Sequence, residues 1–198
     1  CAALPTPSPF TPPYSPLTTH YTPPMTDAQL AQAIADAALL RGDFTLRSGR
    51  RSKYYLDKYR FETRPELLEP LAERLAAKLN GADRVAGPEL GGVALATAVS
   101  LRTRLPMVLI RNAKKGYGTS NRFEGVLEKG DRVAITEDIA TSGGQALEAA
   151  RLLRDELGCE VTSVIVVIDR QEGAREAIEA EGFNFDAVFT KADLGIDE

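Results

Sequence analysis

The chain has no tryptophan, two cysteines and one histidine in 198 residues. Cys1 and Cys159 lie far apart and support neither a disulfide framework nor a thiolate metal cluster. So few cysteines fit the reducing cytoplasm, which is the expected location. His20 is the only histidine and sits near the start, so metal binding through imidazole or a histidine triad has no residue to use in the rest of the chain. No stretch approaches the roughly 18 consecutive apolar residues needed to span a bilayer, and no membrane partner is expected. A net charge of -4 and a pI near 5.2 lack the basic excess of a nucleic-acid coat, so no nucleic-acid partner is expected either. Internal repeats are absent.

Proline is unevenly spread. Residues 1–24 hold eight of the twelve prolines and no Asp, Glu, Lys or Arg. They read as a disordered, polyproline-prone leader. The segment lacks the positive region and the roughly 7–15-residue apolar core of a secretory signal. Folded structure is expected over residues 25–198. Met25 is a candidate natural start, in which case the leader is an upstream translation product or a fusion remnant.

Beyond the leader, helical and extended patterns alternate. Thr26-Asp27-Ala28-Gln29 has capping-box spacing and predicts a helix with Leu30, Ile34, Ala37 and Leu40 on one face. Tyr54–Leu56 reads as a short strand. Pro65 and Pro70 frame the start of a helix through Leu71, Leu75 and Leu79, although a proline inside a helix removes one hydrogen bond. Strands are predicted at Arg84–Ala86, Met107–Ile110, Arg132–Thr136, Val161–Ile168 and Ala187–Thr190. Helical segments lie between them, which indicates an α/β fold: a parallel sheet with helices on both faces.

The most informative stretch is residues 132–145. Val133, Ala134 and Ile135 suit a strand buried on both faces, and Leu147, Ala150, Arg151 and Leu153 begin a helical period. The junction lies at the carboxyl end of a strand, where open α/β sheets bind ligands. Thr141, Ser142, Gly143 and Gly144 offer hydroxyls and open backbone N–H groups, and the helix dipole adds about 0.3–1 kcal/mol of preference for an anion. Glu137 and Asp138 would repel a phosphate standing there. They make sense if the ligand also carries ribose hydroxyls, or if Mg2+ accompanies it. The plainer alternative is a solvated loop before a capped helix.

At this point the sequence resembles the 5-phosphoribosyl-1-pyrophosphate (PRPP) motif of the type I phosphoribosyltransferases. Other segments narrow the resemblance, in order, to the orotate phosphoribosyltransferase family. Phe44 to Asp57 is similar to its amino-terminal signature, Gly87 to Gly92 to its second phosphate-side loop, Arg111 to Thr119 to its catalytic loop, and Ile168 to Glu172 to its orotate-binding strand end. The resemblance implies a type I phosphoribosyltransferase fold with a small hood over the sheet's carboxyl edge, the hood over about residues 25–60 and the core over about 61–198.

The stretch from Arg111 to Phe123 carries Arg111, Lys114, Lys115 and Arg122 with no acid, around a Gly116-Tyr117-Gly118 centre that can bend. A mobile cationic loop is inferred; an ordinary solvated connection is the alternative. A cation about 4 Å from a unit negative charge is worth about 4 kcal/mol at an effective dielectric near 20, enough to matter for a departing pyrophosphate. By resemblance, Lys115 is the catalytic loop lysine and Arg111 the loop's leading arginine. Both would reach the neighbouring subunit's site, so a homodimer, with loop 111–123 completing the partner's cavity, is part of the expected mechanism. Asn112 and Tyr117 belong to the same PRPP-binding segment but depart from the family pattern, in which these positions are often basic and histidine. Gly91 departs as well, replacing a lysine of one branch.

Arg170 follows Val164 to Asp169 and should emerge at a strand's carboxyl end, where its planar fork suits the carboxylate of orotate. A surface ion pair with Asp169 or Glu172 is the alternative. Arg47 is a second anion-binding candidate. Tyr54 and Tyr55 read as packing residues of the hood, and Cys159 as core.

Together these imply Mg2+-dependent transfer of the phosphoribosyl group from PRPP to orotate, giving orotidine 5'-phosphate and pyrophosphate for pyrimidine synthesis. Glu137 and Asp138 would hold ribose hydroxyls and act in catalysis with Lys115, and Ile139 and Ala140 would lead into the cradle. Thr141, Ser142, Gly143, Gly144 and Gln145 would grip the 5'-phosphate, and Arg47, Thr141 and Arg170 would position orotate. No residue is expected to ligate Mg2+ directly; PRPP and water would hold most of it. The rival readings are a phosphoribosyltransferase for another base, a PRPP-sensing regulator, and an α/β phosphoacceptor domain.

Overall fold

The computed structural model describes residues 24–45, 49, 51–112 and 122–196. The capping box forms as expected at the first helix, α1 (Asp27–Ala38). The Gln29 N–H donates to Thr26 Oγ1, and the Thr26 N–H donates to Gln29 Oε1. The helix then stops two residues before Leu40, which was expected on its apolar face. Leu39 turns extended, and Leu39–Thr45 becomes strand β1, paired antiparallel with β2 (Arg51–Leu56). β1 was not predicted, because Arg41, Gly42 and Asp43 break its alternation.

A single helical turn, α2 (Tyr59–Glu62), leads to α3 (Pro65–Ala76). Pro65 occupies the first turn, and Pro70 lies inside the helix. The bond Pro70 cannot donate would have gone to the carbonyl of Glu66, an exposed residue in the first turn, where water can serve instead.

The sheet contains β3 (Arg84–Pro88), β4 (Met107–Ile110), β5 (Phe123–Glu124), β6 (Arg132–Ala140), β7 (Glu160–Asp169) and β8 (Phe185–Thr190), in the order β5-β4-β3-β6-β7-β8. Every pairing is parallel except β4 with β5. The helices are α4 (Gly91–Thr103), α5 (Gly144–Arg151) and α6 (Ala174–Ala180), with a π turn at Leu152–Glu156 after α5. Alternate strand residues feed two apolar clusters. Ala134, Ile165 and Val167 join Leu30, Leu71 and Leu95 on one face, whereas Val133, Ile135, Val164 and Val166 join Leu147, Leu153 and Ile178 on the other. Strands buried on both faces carry continuous apolar runs for this reason. Cys159 is buried in the second cluster, as read from the sequence.

The strand expected to end at Thr136 continues through both acids to Ala140. β7 extends to Asp169 and offers partners: Glu137 lies opposite Val166, Ile139 opposite Ile168, and Ala140 opposite Asp169. Glu137 and Asp138 are therefore strand residues, not loop residues.

The loop from β3 into α4 is held by backbone contact. A Cβ on Gly87 would lie 2.3 Å from the Gly92 carbonyl oxygen and 2.8 Å from Ala96 Cβ. Substitution Gly87→Ala should therefore cost ~1–3 kcal/mol through overpacking, with roughly 2–4 °C of melting temperature lost per kcal/mol. Thermal unfolding followed by circular dichroism checks this.

Candidate active site

Glu137 to Ala146 curve along one wall of a cavity of about 660 Å³, with Tyr55, Lys58 and Arg170 completing the lining. Thr141 and Ser142 form the turn after β6. Gly143 then adopts φ 74° at the start of α5, a left-handed conformation that side chains disfavour, and its open face packs against Ile178 and Ala174. The N–H groups of the first turn of α5 need external acceptors, and this end of the cavity suits a phosphate.

The acids form the other end. Glu137 and Asp138 are 5% and 3% exposed, and Glu62 of α2, also 3% exposed, joins them. Lys58 Nζ lies 2.7 Å from Asp138 Oδ2. Asp138 Oδ1 accepts from the Ile139 N–H, and Glu137 Oε1 accepts from the Asp138 N–H at 3.1 Å. Glu137 Oε2 and Glu62 Oε1 are buried and accept no hydrogen bond among the described residues. Burial, and then the Asp138 charge, raise both Glu62 and Glu137 to about 8. Burial works against the Lys58 ammonium, but its hydrogen bond to Asp138 and the charges of Asp138 and Glu137 raise it overall. Gly91 makes room for this cluster: a Cβ there would stand 1.6 Å from Asp138 Oδ2 and 3.0 Å from Glu62 Oε1. Any side chain at position 91 would displace the carboxylate from its present place.

Arg170 emerges at the end of β7. Its Nη2 donates to the Tyr54 hydroxyl at 2.7 Å and pairs with Glu172 at 3.0 Å. The surface ion pair considered from sequence is thus present, on a side chain that also lines the cavity. Tyr54 is buried, as expected of a packing residue. Tyr55 departs from that expectation: it is 46% exposed on the cavity wall, with its ring 5.7 Å from that of Phe44. Successive strand residues face opposite ways, so adjacent tyrosines cannot both pack inward.

Arg111 lies at the base of the cationic stretch. Its N–H donates to the Arg122 carbonyl, and its guanidinium faces Glu124 of β5 at 3.7 Å, outside this cavity's lining. The Asn112 N–H donates to Glu89 Oε1, and its side chain donates to the Glu89 carbonyl, which also accepts from Gln145 Nε2. Glu89 therefore ties the loops after β3 and β4 to α5. Arg47, Lys115 and Tyr117 lie outside the described residues, as do Cys1, His20 and the rest of 1–23.

Sequence reasoning missed Lys58, Glu62 and Glu89. Lys58 and Glu62 have helical i, i+4 spacing directly after the Phe44–Asp57 segment, a signal that a four-residue helix hides.

The open parallel sheet and the paired strand-end acids facing a phosphate-ready helix start define a phosphoribosyltransferase. Residues 64–192 match the family model of the phosphoribosyl transferase domain. The chain is 46% identical over 154 residues to an orotate phosphoribosyltransferase of Methanothermobacter thermautotrophicus, covering 78% of this chain and 85% of that one. The crystal structure of orotate phosphoribosyltransferase from Aeropyrum pernix superposes with a TM-score of 0.75 at 34% identity, covering 84% of this chain and 96% of that one. That of the Mycobacterium tuberculosis enzyme in complex with PRPP superposes with a TM-score of 0.71 at 31% identity, covering 85% and 98%. The chain belongs to the orotate phosphoribosyltransferase family.

Glu62 and Glu137 have folded-state values of about 8, above the ordinary 4.5. Between those values the folded chain holds more protons than the unfolded one, so their contribution is complete below about pH 4.5 and is lost as pH rises through about 8. Melting temperature should fall across that window, and Glu62→Gln should make the fall shallower. Melts of both proteins across the range check this; parallel slopes would contradict the assignment.

Proposed function

We propose that the chain transfers the 5-phosphoribosyl group from PRPP to orotate, forming orotidine 5'-phosphate and pyrophosphate. The observation that carries this reading is the buried acid pair opening on the same cavity as the Thr141–Gln145 turn. One end supplies hydroxyl acceptors and the other an anion seat, which suits a phosphorylated sugar. Buried polar atoms generally have partners, and ribose hydroxyls would supply one to the unpartnered Glu137 Oε2.

Asp138 accepts from the ribose hydroxyls, and its charge stabilises positive charge developing on the sugar ring. Thr141 to Gln145 hold the 5'-phosphate. Arg170 receives the orotate carboxylate, with Arg47 as a second candidate, and Tyr55 offers a flat face beside it. Lys115 and Arg111 stabilise the departing pyrophosphate. No covalent protein nucleophile is required, because orienting two bound substrates supplies much of the rate.

Mg2+ arrives on PRPP in this reading, because Lys58 already occupies Asp138 Oδ2. When bound, Mg2+ would neutralise pyrophosphate charge, with Glu137 and Asp138 facing it through water. Cytoplasmic pyrimidine synthesis is the setting this chemistry fits. Among the described residues no helix is long and apolar enough to cross a membrane.

A homodimer completes the reading. Arg111 pairs with Glu124 and is not among the residues lining its own chain's cavity, consistent with loop 111–123 serving the partner.

Turnover with PRPP and Mg2+ should be high with orotate and negligible with uracil, adenine or xanthine, and EDTA should abolish it. Absence of orotate consumption would refute the assignment. Lys115→Ala should lower kcat more than about tenfold with the fold retained, since a contact made mainly in the transition state is lost. Mixing Lys115→Ala with Asp138→Asn, after dissociation and reassembly, should restore partial activity only if the loop serves the partner's cavity.

A further inference from the structure

Lys58 is a buried-face cation that the reaction as described above does not use. It stands immediately before α2, and its side chain is 31% exposed to the cavity, whereas the Asp138 side chain it touches is 4% exposed. Among the described residues no other cation forms an ion pair with Glu62, Glu137 or Asp138. Gly91 also closes on this carboxylate: even a methyl group there would overlap Asp138 Oδ2. The oxygen that accepts from the ammonium is thus confined by bare backbone as well.

We propose that Lys58 is a positioning residue that fixes the Asp138 carboxylate to receive the ribose hydroxyls of PRPP. A carboxylate has about four acceptor positions. Lys58 takes one on Oδ2 and the Ile139 N–H takes one on Oδ1, which leaves room for a pair of sugar hydroxyls. Without the ammonium, Asp138 would lose the one ion-pair partner it has among the described residues and face two further carboxyl groups in a desolvated space. It would turn towards whatever donor it could find, and the pyrophosphate of PRPP would meet an unbalanced negative wall. Orotate, whose expected partner is Arg170, would be affected much less.

The inference rests on the phosphoribosyl-transfer reading, and kinetics separate the two. Lys58→Met should raise the KM for PRPP by at least about tenfold while the KM for orotate stays within about twofold. Lys58→Arg, which keeps the charge and the reach, should recover most of the loss, and calorimetric titration with PRPP should show the same order of affinities. Inactive wild-type protein would overturn the functional reading itself. Active wild type with an unaltered PRPP KM in Lys58→Met would overturn only the role of Lys58. So would an equal loss in both KM values that follows a lowered melting temperature and is not rescued by arginine.

Discussion

The site depends on keeping two adjacent carboxyl groups buried at the end of a strand. Desolvation disfavours a charged carboxylate by several kcal/mol unless a partner or a proton relieves it. Both solutions coexist here. Asp138 has an ammonium, whereas burial pushes Glu137 and Glu62 towards the protonated form. At neutral pH the acidic wall is therefore far less negative than its composition suggests. That resolves the conflict posed by acids beside a phosphate seat. An anion entering the cavity would face one balanced ion pair and two acids biased towards their neutral form, not three bare charges.

This arrangement constrains the surrounding backbone. Asp138 can occupy its place only because position 91 has no side chain, and α4 can begin there only because Gly87 and Gly92 let β3 and the helix start meet at backbone distance. On the other side, Lys58 and Glu62 reach the cluster from a single helical turn that joins the hairpin to the core. The Glu89 carbonyl then gathers Asn112 and Gln145. Bases of loops that are distant in sequence are thereby set around one cavity before any ligand arrives, which lowers the entropy cost of binding.

Much of this was legible in the residues. The apolar runs at Met107–Ile110 and Val161–Ile168 announce strands buried on both faces, and the Thr26–Gln29 spacing announces a helix start that forms as written. The Glu137–Gln145 stretch located the cavity wall. What escaped depends on partners. β6 continues past Thr136 because β7 lies beside it, and two acids give no local strand signal. Leu40 fits a helical face by spacing, yet it pairs with Tyr55 across the hairpin. Gly91 reads as a lost cation until Lys58 is seen against Asp138. Such features arise from contacts between residues dozens of positions apart, and no window of sequence contains them.

Arg170 links the two halves of the site. Its guanidinium lies 5.1 Å from the centre of the Tyr54 ring while donating to that tyrosine's hydroxyl, so a residue that lines the cavity also anchors the hairpin. Its Nε is buried and has no hydrogen-bond partner among the described residues, and Glu172 takes part of its charge. An incoming carboxylate would compete with Glu172 and satisfy the idle N–H. The same fork holds Tyr54 of β2, and Lys58 stands two residues beyond the end of that strand. One short stretch of backbone, Tyr54 to Lys58, thus runs from the Arg170 hydrogen bond to the Asp138 ion pair.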